Sequence, residues 1–528
     1  MKAAQRADVA KAAAAATPRP LTFWEQYRRK PQGMVGLAIV AVYVLVAVFA
    51  PWVAPYNPKD DLYLADAGAA PVWMSKLSAR FRDCPPTIRL KLGYESWNQE
   101  ELGGATLSSY DGDEEAGILI QFAATAHEEP EEEEDFGSPF VRSVEWNPWA
   151  SDVPEEPADT AADEGASGAG DVAPEGVALS HVVSYQYKTP NTFSTKFEYS
   201  VEAPDTAETL IVIELVTPDG KTYDLWDRTE SGSVGYGSAI VDARDFDLKI
   251  RLGLSFFGEP SQVLFTEKGD YKIRLRLSST SPDGPVTVKM SPVSFEVLGM
   301  VHGVLGVDHM GSDIWSQLIY GTQIALAIGL STAFIAVAIG TTVGIVAGYV
   351  GGAVDEFLMR VVDVLLAIPS LPILIILGAL FGKSVLNIVI LLALLSWMGI
   401  ARLVRSQTLS LKERQFVEAA RASGASQGYI MVQHILPNVV PLIFANLVLR
   451  IPGAILTEAS LSFLGLGDPR VSTWGRVLQN AKEFGAFTTM AWWWLVPPGL
   501  ALTFMSLAFV FIGNSVNEIL NPRYRERS

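Results

Sequence analysis

The residue types in this chain that could support catalysis are its histidines, its acidic runs and one phosphate-loop-like triplet. None is spaced for it. His127, His181, His302, His309 and His434 pair neither with a nucleophile nor with a second ligand at metal-site spacing. The acidic runs lack the Asp-x-Asp-x-Asp-Gly pattern of a calcium loop and read as solvated surface. Gly382-Lys383-Ser384 ends like a phosphate-binding loop, but Leu377 stands where such a loop needs its first glycine. The reading is no catalytic residue, no metal and no cofactor, so nucleotide energy has to come from a partner. One stretch could transmit force instead. Glu418 to Pro437 (EAARASGASQGYIMVQHILP) lies in a basic, polar gap between two long apolar runs. Glu418, Ala419 and Ala420 begin a short helix, Gly424 permits a sharp turn, and a second helical stretch ends at Leu436-Pro437. Such a knob on a membrane's inner face would give another protein something to grip. An ordinary loop between helices is the plainer alternative.

The elements that must position this stretch are apolar runs. The chain has 528 residues, is 49% hydrophobic, and yet carries a net charge of −18. Residues 57–300 carry about −25, which leaves about +7 for the rest, so a membrane part and an acidic soluble part share one chain. The single cysteine, Cys84, excludes an intrachain disulfide. Runs at 34–55, 323–350, 357–382, 384–404, 438–466 and 492–513 are long enough to span a bilayer as helices. The first follows a basic tail (1–33) and is too long for a signal-peptide core, so an uncleaved anchor at 34–56 is expected. The loop after the fourth run and its flank hold Arg402, Arg405, Lys412, Arg414 and Arg421, and the C-terminus holds Arg523, Arg525 and Arg527. The positive-inside bias therefore places both termini and the Glu418 loop in the cytoplasm and residues 57–302 outside.

Within the external insert, residues 127–178 are rich in Glu, Asp, Pro, Ala and Gly and read as a disordered linker. Strand-like runs flank it, at 87–93 and 117–123 before, and at 195–203, 209–215, 246–253, 271–278 and 286–290 after. A β-sandwich-like domain over 180–298 is expected. In the membrane part, Pro369 and Pro372 in helix three and Glu458 in helix five are candidates for a translocation pathway. For Glu458, a structural hydrogen bond near the outer end of helix five is the alternative. Arg360 and Asp363, spaced i and i+3, are expected to pair.

Glu418-Ala419-Ala420, Gly424 and Leu436-Pro437 match the EAA-x3-G-x9-I-x-LP loop of bacterial ABC importer permeases, with His434 at the isoleucine position. LGVDHMGSDIWSQLIYG (305–321), GYVGGAVDEFLMRVVDVLLAIPSLP (348–372), EASLSFLGLG (458–467), Trp474-Gly475 and AVFAPWVAPYNP (47–58) narrow the resemblance to the second permease of dipeptide/oligopeptide systems. It covers roughly residues 20–58 and 303–525. It implies the type I permease fold over 303–515, with helices two to six, and a cytoplasmic tail from 516 to 528. It also implies a heterodimer with a second permease, two ABC ATPase subunits and an external substrate-binding protein, in a lipid membrane and without nucleic acid. By the same resemblance, Glu418, Ala419, Ala420, Arg421, Gly424, Leu436 and Pro437 form the ATPase-coupling loop. Ser312 departs from the family's usual arginine, Gly513 to Glu518 lack its charged motif, and the insert of about 240 residues has no counterpart. A membrane-anchored receptor whose β-domain binds ligand is the alternative function. It would have no need of such a loop.

Overall fold

The computed structural model describes residues 22–111, 116–123, 176–281 and 283–520. His127, the C-terminal arginines, most of the expected linker and most of the N-terminal tail lie outside them. The chain forms two compact units, one of residues 1–87 with 298–528 and one of Ile88–Val297.

The first unit is helical. Its helices include α1 (Pro31–Val48), α2 (Ile314–Val350), α3 (Gly352–Ala367), α4 (Ser370–Phe381), α5 (Val385–Ser396), α6 (Met398–Lys412), α7 (Gln415–Ala422), α8 (Gln427–Ile430), α9 (Leu436–Phe463), α10 (Trp474–Glu483) and α11 (Trp492–Leu520). Among the described residues, four helical stretches are long and apolar enough to cross a membrane: α1, α2, Gln427–Phe463 and α11. The number rises to six if α3–α4, bent by 87°, and α5–α6, bent by 40°, each count as one span. The sharper bend falls at Pro369, the N-cap of α4. Pro372 sits in the first turn of α4, where a missing N–H costs no helical hydrogen bond. α2 starts nine residues before the apolar run suggested. Asp313 caps it by accepting from the Ser316 N–H at 2.7 Å, and Gln317 and Thr322 hide the early turns from hydropathy. Pro437 does not end a helix. A π-helical turn, Met431–Ile435, joins α8 to α9, and its last bond runs from Leu436 N–H to the Met431 carbonyl. The wider turn takes up the place where proline cannot donate.

Residues 57–87, expected in the external insert, belong to this unit. Their backbone pairs with the segment before α2: Tyr63 N–H donates to Met310, Leu64 to Gly311 and Ala70 to Met300. Further in, Trp474 is fully buried, donates to the Leu318 carbonyl at 2.9 Å and meets the Tyr43 ring edge-on.

The second unit is all antiparallel. One sheet runs in the order β1 (Ile88–Leu92), β12 (Val293–Leu298), β6 (Thr192–Glu202), β11 (Val286–Met290), β4 (Ala116–Phe122), β3 (Thr106–Asp111), with β9 (Val234–Asp242) also on β6. The other runs β2 (Asn98–Glu101), β5 (Gly176–Tyr185), β10 (Gly269–Thr280), β7 (Glu208–Val216), β8 (Thr222–Ser231). Strands from both sides of the acidic stretch share these sheets, so they fold as one unit. β10 has the plainest logic: Tyr271, Ile273, Leu275 and Leu277 are buried while Lys272, Arg274 and Arg276 alternate with them. Both sheets feed one apolar cluster, including Phe197, Ile213, Leu275 and Phe295. Each such side chain contributes about 1.5–3 kcal/mol on burial. The expected strand at 246–253 is instead a helix, Phe246–Arg251. Asp245 caps it by accepting from Asp247 N–H, and Lys249 and Arg251 sit in its last turn.

Candidate functional site

The α7 stretch is a small helix fixed on one face and bare on the other. Val417 is fully buried, and Ala420, Ala425 and Ile430 join it in a cluster with Ile345 and Tyr349 of α2 and Val404 of α6. Glu418, Ala419 and Ala422 are exposed. Arg421 lies over the Tyr349 ring, 6.0 Å from its centroid. The helix ends where the sequence suggests. Gly424 has φ +80, its N–H bonds to the Arg421 carbonyl, and the Ala425 N–H bonds to the Ala420 carbonyl. Both bonds of a Schellman cap are therefore present, and it requires a left-handed residue at Gly424. Leu436 is half-buried and Pro437 exposed, at the start of α9.

What holds α7 in place is the seam between α2 and α6. Gly340, Gly344 and Gly348 lie along α2 at intervals of four. A Cβ at Gly344 would stand 2.6 Å from the Ala401 carbonyl and 2.8 Å from Val404 Cβ. The glycines thus let the two backbones touch. Arg405 of α6 adds a bidentate pair with Asp355 of α3 (Nη2–Oδ2, 2.6 Å). Asp363 pairs with Arg402 of α6. The expected Arg360–Asp363 pair is replaced by this one, because α6 brings a guanidinium to the same face.

Glu458 is buried and accepts from Ser462 Oγ at 2.6 Å, beside the turn where Gly475 packs on Ala459. A cavity of about 310 Å³ opens between α2, α4, α5 and α9, and neither Glu458 nor Pro369 nor Pro372 lines it. Arg450 does, with Thr332, Ser370, Ser396 and Thr457. Arg450 Nη1 donates to the Ser396 carbonyl at 2.6 Å. The sequence reading passed over Arg450, although a lone arginine in an apolar run is the same signal that singled out Glu458.

Ahead of α2, Asp308 accepts from the Met310 and Ser312 N–H groups and from Gln317 Nε2. The Ser312 hydroxyl is buried without a partner among the described residues. His309 stacks on Phe484 with centroids 3.6 Å apart, and burial pushes its imidazole below its ordinary pKa.

Residues 340–526 match the model of the binding-protein-dependent transport system inner membrane component, and residues 21–71 that of the N-terminal transmembrane domain of oligopeptide transport permease C. Residues 72–339 fall in neither match. The oligopeptide transport system permease protein OppC of Haemophilus influenzae is 39% identical over 42% of this chain and 70% of its own length. The glutathione transport system permease protein GsiD of Pectobacterium atrosepticum is 39% identical over 42% of this chain and 73% of its own. An inward-facing structure of the MetNI methionine ABC transporter is 19% identical, with a TM-score of 0.31, covering 38% of this chain and 96% of that one. On the extent and identity of the sequence matches, this chain belongs to the family of inner-membrane permease components of binding-protein-dependent transport systems, with an oligopeptide-permease type of N-terminal segment.

Proposed function

We propose that the chain is one permease subunit, of the second-permease type, in an ATP-driven ABC importer of di- or oligopeptides. It crosses a bacterial or archaeal cytoplasmic membrane six times in the type I arrangement, with each bent helix pair as one span. Both termini and α7 face the cytoplasm, a placement supported by the basic residues Lys30, Arg402, Arg405, Arg414 and Arg421. Residues 57–302 face outward and carry the β unit as an inserted sandwich, whose acidic surface steers basic partners or cationic peptides. The chain pairs with a second, similar permease so that both line one pathway. Two ATPase subunits supply the nucleotide chemistry, and an external binding protein delivers substrate.

The observation that carries this reading is the two-faced α7. Its exposed residues are Gln415, Phe416, Glu418, Ala419, Arg421 and Ala422, and Glu418 places an acid in the first turn, where it favours the helix dipole. Its buried face, Val417 and Ala420, rests on α2 and α6. A push on α7 as the ATPases close therefore reaches the spans as a rigid-body movement. Glu418→Lys and Gly424→Trp test it. Each is expected to abolish substrate-stimulated ATP hydrolysis by the assembled complex while the chain still inserts. Stimulated hydrolysis retained in both variants removes this stretch from the coupling role.

A further inference from the structure

We propose that the cavity between α2, α4, α5 and α9 binds a carboxylate carried by the transported solute, held by the Arg450 guanidinium and the Thr332 hydroxyl. The proposal rests on the permease reading and adds the chemical class of the solute to it. Arg450 lies roughly 20 Å from either end of α9, at about 1.5 Å of rise per residue. Its side chain cannot reach either headgroup region from there, and an ionised group at that depth is costly without a counter-charge. Among the described residues no acid pairs with it; its hydrogen bond goes to the Ser396 carbonyl. A guanidinium has five N–H donors, so most of the fork is uncommitted. The fold makes room for it: a Cβ at Gly399 would stand 2.8 Å from Arg450 Nη2.

Thr332 supplies the second, independent observation. It is 1% exposed and lines the same cavity, and its Oγ1 has no hydrogen-bond partner among the described residues. A buried hydroxyl in that state carries an unrecovered desolvation cost. A carboxylate satisfies both groups at once, because its two oxygens accept from the guanidinium and from the hydroxyl. Ala336, Leu374 and Leu392 are among its apolar lining, and no acid among the described residues lines it to cancel the arginine's field. The volume of about 310 Å³ suits part of a small solute.

The test is thermal melting of the purified, detergent-solubilised full-length chain with tetra-alanine or its C-terminal amide, two probes that differ only in the carboxylate. Free tetra-alanine is expected to raise the melting temperature and the amide to leave it unchanged. Arg450→Gln is expected to weaken the response to the acid about ten- to hundredfold, and Thr332→Val several-fold. Equal responses to acid and amide, or an acid response unchanged in Arg450→Gln, overturn the site. If Arg450→Gln does not fold, Arg450→Lys carries the test, since lysine lacks the planar fork. Unchanged affinity in both Arg450→Lys and Thr332→Val then overturns it. Uptake of labelled tetra-alanine by cells carrying the wild-type chain is measured in parallel. Uptake without an acid-selective shift keeps the permease reading and removes the site. An acid-selective shift without ATP-dependent uptake keeps the site and removes the peptide-importer reading.

Discussion

In the β unit, Phe193, Phe197, Tyr271 and Phe295 fill the space between strands. In the helical unit, Gly340, Gly344 and Gly348 bring α2 onto α6 by leaving side chains out. The difference arises from the surroundings of each. Water drives large apolar side chains together. Lipid gives no such drive, so close backbone approach and dispersion have to hold helices instead. Buried charge divides in the same way. Glu214, 2% exposed in β7, meets Arg276 at 2.7 Å and Arg274 at 3.5 Å, the latter directly across the β7–β10 ladder. Arg450 has no acid beside it among the described residues. An interior built for stability neutralises its charges, whereas one that handles a passing solute has reason to hold a charge ready.

The largest effect that would break this comparison is expected from Phe197→Ala. Phe197 is 1% exposed and packs edge-on against Trp226 at 5.3 Å. Its loss should cost about 3–5 kcal/mol. Calorimetry should show one transition lowered and a second, from the helical unit, unmoved; a single shared transition would merge the two interiors into one. Gly344→Leu is next. Overpacking the α2–α6 seam should cost about 1–3 kcal/mol and shift the other transition only, with protease access to α7 increased. The smallest effect sharpens the charge contrast. His309 has a folded-state pKa below its unfolded value, mainly through burial, with Arg476 adding to it and Asp308 and Glu483 opposing. Its contribution is therefore present above about pH 6.5 and is lost as pH falls through the lower folded value. His309→Gln should flatten the acid-side fall in the helical unit's melting temperature. A fall of unchanged slope would assign it to other groups.

Legibility in the sequence divides along the same line. β10 and β6 could be read because their alternation is a property of one strand. The sequence FDLKIRLG alternates equally well, but Asp245 and Asp247 open it and Lys249 and Arg251 close it, and those end effects produce a helix. Strands such as β8 and β9 escaped notice because exposed residues occupy much of both faces and the neighbouring strand decides their place. The stretch from Glu418 was legible down to the left-handed Gly424, since a turn of that hand writes glycine into the sequence. The glycine seam was not. Gly340, Gly344 and Gly348 acquire meaning only from the residues of α6 they meet, which lie nearly sixty positions on.

The π-helical turn at Met431–Ile435 holds one residue more than a regular helix needs between α8 and α9. Each residue of a helix rotates the next by about 100° and advances it about 1.5 Å. The phase of α8 against α9 is therefore set by residue count, and the packing of Ile430, Ile435 and Val439 in one cluster holds it. Deleting a single residue there would turn α8 by about 100° against α9 and draw the two about 1.5 Å closer.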